Sequence, residues 1–547
     1  MKGKWRICSI ALAVSSAISI QNAQAMSIQT GSPDWEARWD NTIRYNAGWR
    51  LKNRDSDLAN NNANDQAEYL FDKGDMISNR VDLFSELDIT YQNMMGGRVS
   101  VAAWYDERYG DEGESHPSLT GASSYRDNKF SRYTKRYYAG PSGELLDAFV
   151  WGNFQVGDTD LGLMVGRHAV LWGESVFPVA AGNSVAFAQT PSNGLKQAMS
   201  PGATAKETSL PLNQISLNWQ IMNNVSLSGL YTLEWRQSRV PEGGTYFGLN
   251  DGLLNGPDFL APGIPWVESD EPQSGDWGVS VRWRPSILNE PTLGFYYRQF
   301  ADKGASWAAQ MVALNGAPGA RTVYAEDIKL AGASIATNIG PHAVSAELSY
   351  RMDTPLVSMS PTFTSPSDYE GARGNTWHFL INGTTLFGQT AFWDTALLLG
   401  ELTYQRLGTV KQNSSHYRSA ATMQSCRSDT VVKGCATKHA WHFAANFTPT
   451  WQQVFPSIDI SAPIVLQTGL KGNAPTGGIN EGGSVLRVGV AADYQRRHKL
   501  ELAYTNYWGK SKFLGGMSAA GPFDQTNGPL AAREDRDYVS LTYDFSF

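Results

Sequence analysis

The last nine residues of the chain alternate strictly between apolar and polar side chains. Serine, threonine or aspartate separates the apolar positions, which are Val539, Leu541, Tyr543, Phe545 and Phe547. Successive side chains of a β-strand point to opposite faces, so a period of two predicts a strand with one apolar and one polar face. The same alternation recurs along most of the chain, and it limits the fold to one built from such strands.

Upstream segments repeat this pattern, many of them over about 10 to 13 residues, which is enough to cross a bilayer at a tilt. A soluble β-sandwich also alternates, but its strands usually have about 5 to 6 residues. Tryptophan and tyrosine stand near many segment ends, as in the girdles of membrane barrels. The clearest segments are 81–91, 99–105, 215–221, 225–235, 277–283, 342–351, 375–387, 394–407, 439–449, 484–495 and 497–508.

These segments predict an all-β fold, a transmembrane antiparallel β-barrel of about 16 to 18 strands with long extracellular loops and short periplasmic turns. The predicted tight turns are the Asn-Asn, Gly-Gly and Gly-Pro pairs at 223–224, 96–97 and 340–341. An aromatic last residue, Phe547, resembles the signature by which outer-membrane barrels of Gram-negative bacteria are recognised for assembly. We therefore expect the protein in the outer membrane of such a bacterium.

The amino terminus has the features of a secretory signal peptide. Three basic residues within the first six precede an apolar run over 7–20, and an Ala-Gln-Ala cleavage site ends at Ala25. We expect residues 1–25 to be removed and residues 26–547 to form the barrel domain, with a short membrane anchor as the alternative. The formal net charge of −7 argues against nucleic acid as a partner, because nucleic acid requires a basic face.

One stretch is distinctive enough to compare with known families. Residues 71–91 read Phe-Asp-Lys-Gly-Asp-Met-Ile-Ser-Asn-Arg-Val-Asp-Leu-Phe-Ser-Glu-Leu-Asp-Ile-Thr-Tyr, and four further stretches at 35–51, 102–106, 166–175 and 206–239 accompany it. Together they resemble a proteobacterial family called domain of unknown function 1302, over the whole chain that follows the signal peptide.

The resemblance implies an outer-membrane, porin-like protein. It implies a part in trans-envelope transport of hydrophobic or amphipathic compounds of lipid, steroid or aromatic type. It implies three partners. The first is the lipid of the outer membrane, the second is an inner-membrane transporter of the resistance-nodulation-division (RND) type, and the third is a periplasmic lipid-carrier protein. Two alternatives remain open, a general diffusion porin for small polar solutes and a non-transporting surface receptor or structural barrel.

The polar face of the predicted strands carries charges of both signs. A charge on the lipid face costs about 2–4 kcal/mol at the bilayer midplane for Arg or Lys, so these side chains are expected to line the lumen. They either set the selectivity of a pore or pair with one another and hold the wall or a plug. The candidates are Arg80, Asp82, Glu86, Asp88, Arg98, Asp106, Glu234, Arg236, Arg282, Arg284, Arg298, Glu347, Arg351 and Arg487.

Residues 169–211 interrupt the alternation. They contain four prolines and several glycines, and a connection longer than about 12–15 residues is usually functional. We predict that this segment folds into the lumen as a constriction or plug, with Trp172 and Glu174 as candidate constriction residues. An ordered extracellular loop is the alternative.

Two cysteines follow the signal peptide, Cys426 and Cys435. An exported pair nine residues apart predicts a disulfide within the loop 408–437. No metal or cofactor is predicted, since the sequence places no further metal ligands near the pair.

The sequence lacks the motifs of common hydrolases. Neither a G-x-S-x-G elbow nor an H-E-x-x-H pair is present, and the Gly-Lys-Ser at 509–511 lacks the preceding glycine of a P-loop. We therefore predict that the protein is not an enzyme, and an outer-membrane phospholipase is the enzymatic alternative.

Overall fold

The computed structural model describes residues 26–28, 30–59, 65–110, 113, 123–177, 180–287, 290–304, 309–314, 316–359, 371–518 and 521–547. The predicted signal peptide, 1–25, lies outside the described residues. The chain folds into a closed antiparallel barrel of 18 strands, which confirms the predicted fold class. Its strands are β1 Trp35–Arg50, β2 Met76–Tyr91, β3 Met95–Asp106, β4 Ser142–Val156, β5 Thr159–His168, β6 Leu212–Met222, β7 Val225–Thr232, β8 Trp277–Trp283, β9 Thr292–Phe300, β10 Ile328–Ile339, β11 His342–Pro355, β12 Arg373–Phe387, β13 Thr395–Gln412, β14 His439–Phe455, β15 Ile458–Ser461 with Ile464–Lys471, β16 Ser484–Tyr494, β17 His498–Trp508 and β18 Tyr538–Ser546.

The first and last strands close the barrel. β1 pairs with β2 on one side and with β18 on the other, where Tyr45 stands opposite Tyr543 and Ile43 opposite Phe545. A short strand, Met26–Ile28, pairs with the start of β1. Closure matters because backbone groups have no water to bind within a bilayer, so each wall strand must have two neighbours.

The two faces of the wall differ as the alternation predicts. In β11, Glu347 and Ser349 are buried, whereas Leu348 between them is 48 % exposed. Most of the exposed large apolar side chains of the protein lie on the outer face of such strands, as Val150 and Leu386 do. An apolar outer face suits lipid, and a polar inner face suits a lumen.

Short turns lie at one end of the barrel and long loops at the other. The predicted turns at 223–224 and 340–341 are present, between β6 and β7 and between β10 and β11. The predicted turn at 96–97 is wrong, because both glycines lie inside β3. The chain turns instead at Gln92 and Asn93, whose positive φ angles of 46° and 56° reverse the strand direction. We call these two ends the short-turn end and the long-loop end.

The loops carry only short elements. No helix among the described residues is long and apolar enough to cross a membrane. Three small hairpins are formed by Phe259–Ala261 with Ile264–Pro265, Gln310–Leu314 with Ala317–Arg321, and Ser511–Ser518 with Gly521–Thr526. The α-helical turns are Ser56–Ala59, Asp65–Tyr69, Arg132–Thr134, Gly194–Met199 and Ala205–Thr208, and the other helical turns are Arg126–Asn128, Lys135–Ala139, Ala180–Asn183, Ser414–His416, Gln424–Cys426 and Ala531–Arg533.

A buried aromatic cluster packs the long loops together. It includes side chains from the described parts of the loops 51–75, 107–141 and 233–276. These loops and the loop 509–537 are together called the loop cap. The aromatic side chains that these loops contribute are Phe71, Tyr109, Tyr125, Phe130, Tyr138, Tyr246 and Phe247, and Leu195 and Met199 of the connection between β5 and β6 pack with them. Because these loops share one core, they form a packed layer at the long-loop end rather than separate projections.

Candidate functional site inside the barrel

Residues 169–177 and 180–211, which we call the inward segment, lie against the inner face of the wall on two sides. Their first half contacts β8 to β13, and their second half contacts β1, β2 and β18. The contacts of both halves are hydrogen bonds and ion pairs to buried side chains of the wall. The described parts of the segment therefore lie on the inner side of the wall, and their role as a constriction or plug stays a prediction.

Three charged wall residues hold the tip of the first half. Arg298 donates hydrogen bonds of 2.7 Å each to the carbonyls of Val185 and Phe187. Arg351 donates to the carbonyl of Ser184 at 3.0 Å. Glu347 accepts from the backbone N–H groups of Val185 and, at 3.0 Å, of Glu174. Charged groups thus satisfy a stretch of backbone that would otherwise be buried without partners.

The two predicted constriction residues touch the wall directly. Trp172 packs beside Gly278 and Tyr296, with ring centroids 6.3 Å apart in the Trp172–Tyr296 pair. Glu174 accepts a hydrogen bond of 3.1 Å from Ser334. Both residues therefore join the inward segment to the wall of β8 to β10.

Ion pairs hold the second half of the inward segment. Lys196 lies 3.3 Å from Asp82, and Lys206 lies 2.7 Å from Glu86. Glu207 pairs with Arg44 of β1 at 2.8 Å. Both carboxylates of β2 that face this part of the lumen are thus engaged by lysines of the segment.

Most of the predicted lumen charges have partners of opposite sign. Arg80 pairs with Asp82 at 3.0 Å, and Arg98 pairs with Asp88 at 2.7 Å and with Glu86 at 3.3 Å. The remaining pairs, with their distances, are Arg236–Glu234 at 3.8 Å, Arg167–Glu234 at 3.2 Å and Arg487–Glu501 at 2.6 Å.

Five of the predicted lumen residues lie at the ends of the barrel or are exposed. Glu234 and Arg236 follow the end of β7, which stops at Thr232, and therefore belong to the loop cap. Asp106, the last residue of β3, accepts hydrogen bonds from Ser78 and from the backbone of Asn79 at the long-loop edge. Arg284 follows the end of β8 and lies at the short-turn end, because that strand stops at Trp283. Arg282 shares the inward face with Gly278 and is exposed.

A cavity of about 220 Å³ remains beside the inward segment. The segment forms one side with Asn183 and Phe187, and the loop 476–479 between β15 and β16 forms another. The wall contributes Glu401 and Thr403 of β13, His442, Phe443 and Ala444 of β14 and Gln467 of β15. Apolar and polar groups thus line the same space, which we call the lumen cavity.

A second, wider cavity of about 770 Å³ lies at the short-turn end, and we call it the vestibule. Its lining holds charges of both signs, including Arg38, Asp40, Asp493, Arg496 and Arg497. The inward segment forms its inner boundary through residues 202–207. The vestibule is therefore a polar entrance that ends at the inward segment.

A buried charge cluster that the sequence analysis did not identify lies under the loop cap. Glu68 pairs with Arg50 at 2.9 Å and with Arg536 at 2.5 Å, and Arg50 also pairs with Asp535 at 3.1 Å. Burial alone would raise the pKa of Glu68, but the charges of Arg536 and Arg50 lower it. Burial and the adjacent Glu68 raise the pKa of Asp535 to about 8.

Two further carboxyl groups are buried in the loop cap without a salt bridge in the described part of the chain. Glu242 accepts a hydrogen bond of 2.8 Å from the backbone of Gly256, and burial raises its pKa to about 8. Asp251 accepts from the backbone N–H groups of Gln66 and Ala67. Burial, with the charge of Asp65, raises the pKa of Asp251 to about 8.

The cysteine pair and one group of acidic side chains are the remaining candidates for binding chemistry. Cys426 and Cys435 form a disulfide with a Cα–Cα distance of 5.9 Å. Among the described residues, one group of three carboxylates comes close enough to share an ion, namely Asp40, Glu86 and Asp88. Three cations pair with this group, so its charge is already balanced by protein: Arg98 with Glu86 and Asp88, Lys206 with Glu86, and Arg38 with Asp40.

Solved structures of similar shape are outer-membrane proteins of very different sequence. OccAB2 of Acinetobacter baumannii has 9 % identity and a TM-score of 0.42, and the match covers 93 % of this chain and 98 % of that one. OpdK of Pseudomonas aeruginosa, solved with vanillate, has 8 % identity and a TM-score of 0.40, with the same two coverages. The outer-membrane channel DcaP of Acinetobacter baumannii has 9 % identity and a TM-score of 0.36, covering 96 % of this chain and 100 % of that one.

Family membership rests on the sequence itself. A comparison with curated proteins finds no match to this chain. The family model described as a protein of unknown function, DUF1302, matches residues 6–547. This match confirms the resemblance seen in the motifs, and the chain therefore belongs to the DUF1302 family.

Proposed function

We propose that this protein is an outer-membrane channel for hydrophobic or amphipathic compounds of lipid, steroid or aromatic type. A closed wall with an apolar outer face is the form in which β-strands cross lipid. In this proposal the short-turn end faces the periplasm and the loop cap faces outward, since short turns are periplasmic in bacterial barrels.

The observation that carries the proposal is the mixed lining of the lumen cavity. Phe187 and Ile479 supply apolar surface, and Glu401, Thr403 and Gln467 supply polar groups on the wall. Ligand sites typically combine an apolar lining with a few polar groups that orient the ligand. A compound with an apolar body and a polar end suits this lining better than a fully hydrated solute does.

The inward segment acts in this proposal as the constriction. Arg298, Arg351 and Glu347 bind the backbone of its tip. The narrow part of the channel is therefore formed by a fixed segment and not by a mobile loop. The constriction role extends to Trp172 and Glu174, which bring the segment to the wall of β8 to β10.

We further propose that the channel works with an inner-membrane transporter of the RND type and a periplasmic lipid carrier. The vestibule would be the docking or delivery end, because it opens beside the exposed Arg496 on the short turn between β16 and β17. A photo-crosslinking residue at position 496 should capture a periplasmic protein in cells, and one placed at Asn255 in the loop cap serves as the control. Equal capture at both positions would contradict this part of the proposal.

A general diffusion porin for small polar solutes is the second candidate. The vestibule favours it, since its lining carries arginine and aspartate side chains that suit hydrated solutes. Growth of a deletion strain separates the two candidates. The first predicts poor growth on hydrophobic carbon sources, or altered outer-membrane lipid, both restored by the wild-type chain. Normal growth and normal lipid, together with reduced permeability to small nutrients, would overturn the first candidate and support the second.

A further inference from the structure

The lumen cavity contains polar atoms whose hydrogen bonds are not made. Oε1 of Gln467 and Nε2 of His442 are buried without a hydrogen-bond partner in the part of the chain that the structure describes. They belong to neighbouring strands, since Gln467 stands opposite Ala444, two residues from His442 on the same face. Buried polar groups are nearly always paired, so these two atoms offer hydrogen bonds to whatever occupies the cavity.

A hydroxyl group is the partner that suits both atoms. It can donate one hydrogen bond to the Gln467 carbonyl oxygen and accept another from an imidazole N–H. The other ring nitrogen of His442, Nδ1, lies 3.3 Å from Thr403 Oγ1, and the backbone of Ile479 also lies within reach of the ring, so Gln467 Oε1 is the less contested of the two atoms. A hydrocarbon in the same place would leave both atoms unpaired, at the cost of burying them without a partner.

The charges around the lumen cavity argue against an anionic ligand. No Lys or Arg is present among the described residues that line it. The one carboxylate in the lining, Glu401, already accepts hydrogen bonds from Val176, Ser175 and Asn382. Arg351 is separated from the cavity by the ring of Phe187, over which its guanidinium lies at 4.1 Å. A carboxylate placed here would lose its hydration without gaining a cation.

The volume of the lumen cavity indicates how much of a ligand it can surround. A cavity of about 150 Å³ in a protein core holds benzene, and the lumen cavity measures about 220 Å³. The space therefore suits one ring with a small substituent, and Phe187 and Ile479 supply apolar surface for the ring.

We propose that the lumen cavity is a binding site for an uncharged, single-ring alcohol or phenol, held by Gln467 and His442. This inference rests on the proposed function, because it names the cargo class of that same channel. It also narrows that function, since it selects neutral hydroxyl compounds over carboxylates of the same shape.

Three probes of matched shape test the proposal. 4-Ethylphenol, 4-ethylbenzoate and ethylbenzene are measured by equilibrium dialysis against the full barrel in nanodiscs, with empty nanodiscs as the blank. We expect 4-ethylphenol to bind roughly tenfold or more tightly than either of the others, since each lost buried hydrogen bond weakens binding by about that factor. Equal binding of the carboxylate, or of the hydrocarbon, would overturn the proposal.

Two variants locate the site. Gln467→Leu keeps the size of the side chain and removes the acceptor, so it should weaken 4-ethylphenol binding roughly tenfold. Gln452→Leu makes the same change at an exposed position at the other end of the neighbouring strand β14 and should bind as the wild type does. Unchanged binding in Gln467→Leu, with the barrel folded, would contradict the proposal.

Transport is measured separately, so that the two ideas can fail independently. Uptake of 4-ethylphenol is compared in cells with and without the protein. Selective binding without protein-dependent uptake would leave the binding site standing and overturn the transport function for this class. Protein-dependent uptake without selective binding would support the channel and overturn the site.

Discussion

Arg298, on the barrel wall, donates a hydrogen bond of 2.7 Å to the carbonyl of Val185 in the inward segment. The side chain is buried and makes a second bond of the same length to the carbonyl of Phe187. This contact joins a strand to a loop that lies 113 residues earlier in the chain. It explains how a segment that contains only short helical turns keeps a defined position inside the barrel.

Arg298→Gln should release the tip of the inward segment. Glutamine is too short to reach both carbonyls, so Val185 and Phe187 lose their charged donor, while Arg351 still binds the Ser184 carbonyl. We expect amide hydrogen exchange over 183–187 to accelerate roughly tenfold or more, because each lost bond makes local opening easier. Arg282→Gln is the control, since Arg282 lies on the inward face of the adjacent strand and is exposed. Equal exchange in the two variants would contradict the role assigned to Arg298.

Asp82→Asn should destabilise the barrel strongly. Asp82 is buried and pairs with both Arg80 and Lys196. Asparagine removes the negative charge between them, so two buried cations lose part of their electrostatic stabilisation. Breaking a buried pair in this way costs about 3–5 kcal/mol. Asp88→Asn on the same strand should cost at most about 1 kcal/mol, because Asp88 and its partner Arg98 are partly exposed. Urea unfolding of the two variants in lipid or detergent measures the difference, and similar free energies of unfolding would refute the argument.

The loop cap should become less stable as the pH rises. Glu242 has a raised pKa of about 8 in the folded protein, against an ordinary value of 4.5. An unfolded cap therefore releases this proton at lower pH than the folded cap does. The contribution of Glu242 to the stability of the cap is fully present below about pH 4.5 and is lost as the pH rises to about 8. Asp251, raised to about 8 from 3.8, acts in the same direction.

Limited proteolysis of the loop 233–276 at about pH 5 and about pH 9 checks this expectation. The wild-type loop should be cut faster at the higher pH. Glu242→Gln should reduce the difference, since glutamine does not titrate and its amide oxygen can still accept the Gly256 hydrogen bond. A pH dependence of equal size in the variant would exclude Glu242 as a cause.

Gly278→Ala should disturb the contact between the wall and Trp172. An added Cβ would lie 2.8 Å from Cγ of Arg298 and 2.9 Å from the Trp172 ring. Overpacking of this kind typically costs about 1–3 kcal/mol. Gly229→Ala on the adjacent strand provides a matched control, since its Cβ would meet its nearest neighbour, Leu217, at 3.5 Å. A loss of thermal stability in the first variant alone is the expected result, and equal losses would rule out a specific contact.

The strand faces could be predicted from the sequence because the signal is local. Arg80 and Asp82 stand two residues apart on the polar face, and a period of two is visible without any knowledge of partners. The turn at Gln92 was missed because a Gly-Gly pair close by is a stronger turn signal than Gln-Asn. Only the backbone register shows that the glycines lie inside β3.

The buried pairs could not be predicted because they depend on contacts far apart in the sequence. Glu68 and Arg536 are separated by 468 residues, and no periodic pattern links them. The charged run at 533–537 was the only trace of this cluster in the sequence, and a charged run before a strand usually indicates a solvated loop. Likewise, the sequence placed Arg298 and Arg351 on the inner face, but it could not show that both bind the backbone of the inward segment.

Single-channel conductance in a planar bilayer tests most directly whether the inward segment constricts this barrel. The wild-type chain is compared with a variant in which residues 180–200 are replaced by a short Gly/Ser linker, and circular dichroism confirms that both barrels are folded. We expect small or closed conductance steps for the wild type and large, steady steps for the variant. Identical conductance in the two folded barrels would contradict the account.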